Sequence, residues 1–170
     1  MPGNPTTSRW RFAAVVLALG LLAAGCSGSG KAEVGSRPDL SGLSVWDASA
    51  EREVALTDAL ASDGPVLVWF WAPHCPACAA EAPHVVEFAE DQGDRVTVVG
   101  LGTQDDAAMA GEFIDRHDIP FTMLWDETFE SWQAFGITRQ PAVVLLSATG
   151  EVLGTWSGSL PTSEVEALVA

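Results

Sequence analysis

The segment Pro65-Val66-Leu67-Val68-Trp69-Phe70-Trp71-Ala72-Pro73-His74-Cys75-Pro76-Ala77-Cys78 decides the fold. From Pro65 to Ala72 it is an uninterrupted apolar run of strand length, the pattern of a central strand buried on both faces. Pro73 ends the run. From Pro76 to Glu90 the chain is rich in helix formers, and Pro76 suits the first helical turn, where its missing N–H costs nothing. Cys75 is thereby placed between a buried strand and a helix N-terminus. Four unpaired backbone donors and the positive end of the helix dipole favour a thiolate there. Cys75 is the predicted nucleophile. Cys78, one turn into the helix and more buried, is the predicted resolving thiol.

Only Pro76 and Ala77 separate the two cysteines. A disulfide closing so small a loop removes little entropy from the unfolded chain, so it makes a poor structural staple. The pair therefore points to chemistry.

Downstream, Arg95 to Leu101 is a predicted strand, and Asp105 or Asp106 caps a helix running to about His117. Phe121 to Leu124 is a short strand, and Thr128 to Phe135 a short helix ended by Gly136. Pro141 precedes Ala142 to Leu146, which forms a hairpin with Val152 to Trp156 across the turn Ala148 to Glu151. Ser163-Glu164-Val165-Glu166 has capping-box form and is expected to open a final helix. Upstream, Leu43 to Trp46 and Glu53 to Leu56 form a small hairpin. His84 and His117 fall on predicted helices and are expected at the surface. There are no internal repeats.

The chain has 170 residues, a one-domain length, and 48% apolar content with seven Trp and seven Phe suffices for a core. Eight basic residues face 23 acidic ones, so the protein's field repels phosphate backbones and nucleic acid is excluded as a natural partner. At the N-terminus, Arg9 and Arg11 precede an apolar stretch from Phe12 to Ala24, shorter than the roughly 20 residues of a membrane span. It ends in Leu22-Ala23-Ala24-Gly25-Cys26, which resembles the lipobox of bacterial lipoproteins, although Ala23 stands where Leu, Ile or Val is usual. The expected organisation is a signal peptide over 1–25 ending at a lipidated Cys26, a flexible Ser/Gly linker over 26–37, and a folded domain over 38–170. Two or three acyl chains on Cys26 would hold the domain at the outer face of the cell membrane; without lipidation it is secreted.

Trp71-Ala72-Pro73-His74-Cys75-Pro76-Ala77-Cys78, followed by Glu81-Ala82-Pro83, resembles the active site of the thioredoxin superfamily, specifically its exported branch of TlpA, ResA and DsbE-like proteins. The likeness extends to secreted DsbE-like proteins of high-GC Gram-positive bacteria, including the Gln140-Pro141 pair before the last hairpin. It implies an α/β, thioredoxin-like fold: a central mixed β-sheet flanked by helices, with an N-terminal β-hairpin and a central α/β insertion between Asp105 and Leu124. It also implies a thiol-disulfide oxidoreductase with no cofactor beyond the Cys75–Cys78 disulfide. Its substrates would be exported cysteine-containing proteins, a membrane redox partner would recycle it, and it would act as a monomer. By the same likeness Pro83 is the helix-kinking proline, and Gln140 and Pro141, the latter as a cis-proline, face the thiols and receive a substrate strand.

Two positions depart from that pattern. Thioredoxins carry a buried Asp six residues before the first Cys, where this chain has Trp69; Glu81 instead matches the acidic residue of the ResA-like branch and is expected to assist proton transfer at Cys78. The residue before the first Cys is usually Trp and here is His74, which as imidazolium would stabilise the Cys75 thiolate and make the disulfide more oxidising, and as an incidental exposed His would do neither. Two other functions compete with this one. A copper or other metal carrier would use Cys75, Cys78 and His74, but a four-ligand site needs further Cys or His, and no metal site is expected. Peroxiredoxin-like enzymes place Thr three residues before the peroxidatic Cys, where this chain has Ala72. The direction of electron flow, oxidase or reductase of the cytochrome c maturation kind, is not set by Pro76-Ala77, because 30 mV of potential is only about 1.4 kcal/mol.

Overall fold

A computed structural model describes residues 33–170. The signal segment, Cys26 and the linker up to residue 32 lie outside the described residues. The described chain folds as β1 (Ser44–Asp47), β2 (Arg52–Ala55), α1 (Leu56–Ala59), β3 (Val66–Trp71), α2 (Pro76–Gln92), β4 (Thr97–Thr103), α3 (Ala107–Arg116), β5 (Thr122–Asp126), α4 (Glu130–Ala134), β6 (Ala142–Leu146), β7 (Val152–Ser157) and α5 (Thr162–Val169). The seven strands form one sheet in the order β2-β1-β5-β4-β3-β6-β7. β3, β4 and β5 are parallel neighbours, and the remaining pairings are antiparallel.

β3 is buried at all six positions, as its apolar run requires. Its alternate side chains feed two cores. Leu67, Trp69 and Trp71 join Cys75, Cys78, Val85 and Phe88 around α2, together with Phe113 of α3 and Val165 of α5. Val66, Val68 and Phe70 face Leu56, Trp132, Phe135 and Ile137 on the opposite side. This is the layered mixed sheet expected of the thioredoxin-like fold, with the N-terminal hairpin as β1-β2. The expected insertion is α3 and β5, and β5 joins the hairpin to the rest of the sheet by pairing with β1. No helix among the described residues is long and apolar enough to cross a membrane.

Three details differ from expectation. Gly35 and Ser36 have linker composition, yet Gly35 N–H donates to Val152 O and Val152 N–H to Ser36 O, each at 2.8 Å, so these two residues are tied to β7. The capping box at Ser163 does not form. α5 starts at Thr162 with Pro161 at its N-cap and no side-chain cap. The two acidic residues are used elsewhere, Glu164 accepting from Trp156 Nε1 at 2.8 Å and Glu166 from Gln92 Nε2 at 3.1 Å. His117 ends α3 half-buried, its ring 4.5 Å from that of Phe113, instead of lying at the surface.

Gly102 of β4 shows how tightly the aromatic core is fitted. It pairs with Trp71 on one side and Trp125 on the other. A Cβ at this position would lie 2.7 Å from Trp71 Cε2 and Cζ2 and 3.0 Å from Trp125 Cε3. Both indoles are buried, so the added methyl meets ring atoms on either side. Gly102→Ala is expected to destabilise the domain by about 2–3 kcal/mol, read as a lower urea midpoint at unchanged m-value.

Candidate active site

The site is assembled where β3 stops. Cys75 is the N-cap of α2, with extended backbone (φ −84°, ψ 105°), and Pro76 follows at the first helical position. The Cys75 Sγ accepts a hydrogen bond from the Cys78 N–H at 3.0 Å, so the sulfur takes up one of the helix's unpaired donors. Cys75 and Cys78 are joined as a disulfide with their Cα atoms 5.2 Å apart. The expected asymmetry is present but narrow. Cys75 is 7% exposed and Cys78 is completely buried, so Cys75 is the more reachable of the two, though far less open than a loop cysteine.

Glu81 lies one turn beyond Cys78 on the buried side of α2, 5% exposed, and accepts a hydrogen bond from the Leu160 backbone N–H in the segment leading to α5. It is therefore not a solvent-facing helix residue. A buried backbone donor without a partner costs about 1–3 kcal/mol, so this contact gives Glu81 a structural reason to be there beside any chemical one. Pro83 lies within α2, which continues to Gln92. His84 is exposed on the same helix.

His74 is exposed, and its Nδ1 lies 2.5 Å from Asp105 Oδ2. Asp105 is the residue that sequence reasoning missed. It stood beside Asp106 as an alternative cap for α3; Asp106 takes that role, its carboxylate accepting from Met109 N–H at 2.9 Å. Asp105 turns toward the active site instead. Gln104 and Asp105 both have left-handed backbone, with φ of 69° and 59°, a conformation side chains rarely adopt, and this bend carries Asp105 to His74. The available signal was the Asp105-Asp106 doublet, since one cap needs one carboxylate.

Across the sheet, the Gln140–Pro141 peptide bond is cis. Phe70 pairs with Ala142, so Pro141 extends β6 to the end of β3 from which Cys75 departs. Pro141 is buried, Gln140 is half-buried, and the Pro141 carbonyl accepts from Gly158 N–H at 2.8 Å. Cys75, Pro76 and Pro141 thus share one edge of the sheet. Among the described residues no group of three or more His, Cys, Asp or Glu is placed to hold a metal ion. The chemistry available at this edge is that of one accessible sulfur backed by a second.

Residues 36–169 match the Redoxin family. The soluble secreted antigen MPT53 of Mycobacterium tuberculosis is 36% identical over 86 residues, 51% of this chain and 49% of that protein, so the chain spans about half the length of this relative. A thiol:disulfide interchange protein DsbE homolog of Paracoccus denitrificans is 33% identical over 119 residues, 69% of this chain and 64% of that one. Among solved structures, MTB dsbF in its mixed oxidized and reduced forms superposes with a TM-score of 0.66 at 30% identity, covering 79% of this chain and 97% of that one. A secreted Mycobacterium tuberculosis disulfide oxidoreductase homologous to E. coli DsbE gives 0.63 at 27% identity, covering 75% and 93%. With the match running over residues 36–169, well over half of its length, this chain belongs to the Redoxin family.

Proposed function

We propose that the protein is an extracytoplasmic thiol-disulfide oxidoreductase that exchanges the Cys75–Cys78 disulfide with exported cysteine-containing proteins. The observation that carries this reading is the disulfide at the α2 N-terminus, with Cys75 7% exposed and Cys78 fully buried behind it. In the oxidising direction a substrate thiolate attacks Cys75 Sγ, a mixed disulfide forms, and Cys78 leaves as thiolate. The substrate's second thiolate then attacks its own cysteine sulfur in the mixed disulfide and releases Cys75. Two electrons pass to the enzyme, and the two protons lost by the substrate are balanced by solvent and the reduced pair. The reducing direction is the reverse. Cys78 must take up or lose a proton in a dry environment, and Glu81, buried one turn away, is the group assigned to assist it. Gln140 and Pro141 at the same edge are assigned to the substrate strand.

Support for the cellular setting comes from the secreted relatives and from the N-terminal sequence. The protein acts outside the cytoplasm, held by lipid on Cys26 and recycled by a membrane redox partner. The experiment that tests the activity is reduction of insulin and refolding of a reduced, disulfide-dependent substrate, run beside a measured potential for the Cys75/Cys78 couple and its redox state in living cells. Exchange in at least one assay is expected. A couple held reduced in cells identifies a reductase, a couple held oxidised identifies an oxidase, and a protein inert in both assays refutes the reading.

A further inference from the structure

The helix-covered face of the sheet ends at β5. That face carries Trp69, Trp71 and Trp125 beneath α2 and α3. It continues onto the N-terminal hairpin through the cross-strand pairs Trp46 with Trp125 and Trp46 with Glu53, which place all three side chains on one side. There Trp46 remains 41% exposed. A pocket of about 490 Å³ opens at this point, lined by Val45, Trp46, Glu53, Ala107, Trp125 and Glu127 among others.

Its position relative to Cys75 follows from the topology. β3, β4 and β5 are parallel, so they end on one edge; Cys75 follows β3 and Glu127 follows β5. Two inter-strand spacings and the intervening loop amount to about 10–15 Å, which an extended polypeptide crosses in about three to five residues. The loop between β4 and α3 joins the two places: Asp105 contacts His74 beside Cys75, and Ala107, two residues on, lines the pocket.

The lining selects the occupant. An open indole face attracts a cation, most strongly when the ring is Trp. Glu53 and Glu127 are exposed at the pocket and supply the opposite charge. The Asp126 carboxylate, also at the pocket, is already committed to Thr128 and Ser131. Five of the eight basic residues and all 23 acidic ones lie within residues 33–170, a net −18, so the surrounding field draws basic polypeptides in. We propose that this pocket is a subsite for a lysine or arginine side chain of the polypeptide whose cysteine reacts at Cys75. The inference rests on the exchange reaction proposed above and assigns it a preference for basic substrates.

Two synthetic peptides test it, each with one cysteine of matched thiol pKa, differing only in Lys or Gln four residues from that cysteine. The peptide is held in excess, so that a second peptide thiol attacks the mixed disulfide and leaves peptide disulfide and reduced protein, and the loss of oxidised protein is followed by acid quench and mass spectrometry. The Lys peptide is expected to react about tenfold faster, from one cation–π contact together with ion pairing. That advantage is expected to fall below about twofold in Glu53→Gln/Glu127→Gln protein and again in Trp46→Leu protein. Dithiothreitol is expected to reduce all three proteins at one rate. Equal rates for the two peptides, or an advantage that survives both variants as a long-range field would give, overturns the subsite. Failure of dithiothreitol to reduce the native protein would instead overturn the exchange reaction on which the subsite rests.

Discussion

Cys75→Ser is expected to lower exchange with protein substrates by at least about a thousandfold, because a serine hydroxyl at neutral pH supplies neither the thiolate nor the disulfide sulfur that the reaction consumes. Cys78→Ser is expected to fail differently. Cys75 is the more exposed of the two cysteines and the one whose sulfur accepts the Cys78 N–H at the helix start, so it is expected still to attack a substrate disulfide. With no thiol behind it, the mixed disulfide is not resolved and accumulates as a covalent adduct of stated mass. The pair of variants discriminates sharply, since loss of activity alone would fit either order of attack. Adducts on Cys75→Ser protein through Cys78, with none on Cys78→Ser protein, would reverse the assignment. The narrow difference in exposure between the two sulfurs makes this test worth more than the burial values by themselves.

The order of strand, proline, cysteine and helix was legible because each signal is local. An apolar run with no polar interruption has one comfortable place, the middle of a sheet, and Pro76 has one comfortable place in a helix, its first turn. What was not legible depends on partners distant in sequence. Glu81 is marked only by the family resemblance, and nothing in its own stretch of sequence shows that it is buried until Leu160, 79 residues on, presents its N–H. Asp105 reads as a cap until the left-handed turn at Gln104 and Asp105 carries it to His74. Gly35 and Ser36 have the composition of a tether, yet Val152 engages them with both of its backbone groups. The capping box at Ser163 failed for a related reason: Glu166, the residue that would reach back, is held by Gln92 on the neighbouring helix. Local chemistry set the nucleophile, and tertiary contacts set what surrounds it.

Asp126 is expected to contribute more to stability than any other charged side chain described here. Its carboxylate is 2% exposed and accepts four hydrogen bonds, from the N–H and hydroxyl of both Thr128 and Ser131. It thereby supplies the N-terminal cap of α4, whose own N-cap residue, Phe129, sits in left-handed backbone and offers no side-chain bond. Burial by itself would raise the Asp126 pKa, but the hydrogen bonds from Ser131 and Thr128 outweigh it and hold the carboxyl below its ordinary value. Asp126→Ala would leave the Ser131 donors buried without a partner, at a cost of about 3–4 kcal/mol, and Asp126→Asn about 2 kcal/mol. The consequence reaches the active strand, since Trp132 of α4 packs edge-on against Phe70 of β3 at 5.4 Å and donates to the Leu101 carbonyl at 3.2 Å. Because the folded carboxyl titrates below the unfolded one, its stabilisation is complete above about pH 3.9 and is lost as the pH falls from there through the folded value. The stability gap between the native protein and Asp126→Asn, from urea midpoints, is therefore expected to be widest at pH 7 and to narrow toward pH 3 and below. A gap that stayed constant over this range would show that the shape of the side chain, and not its charge, secures α4 against the back of β3.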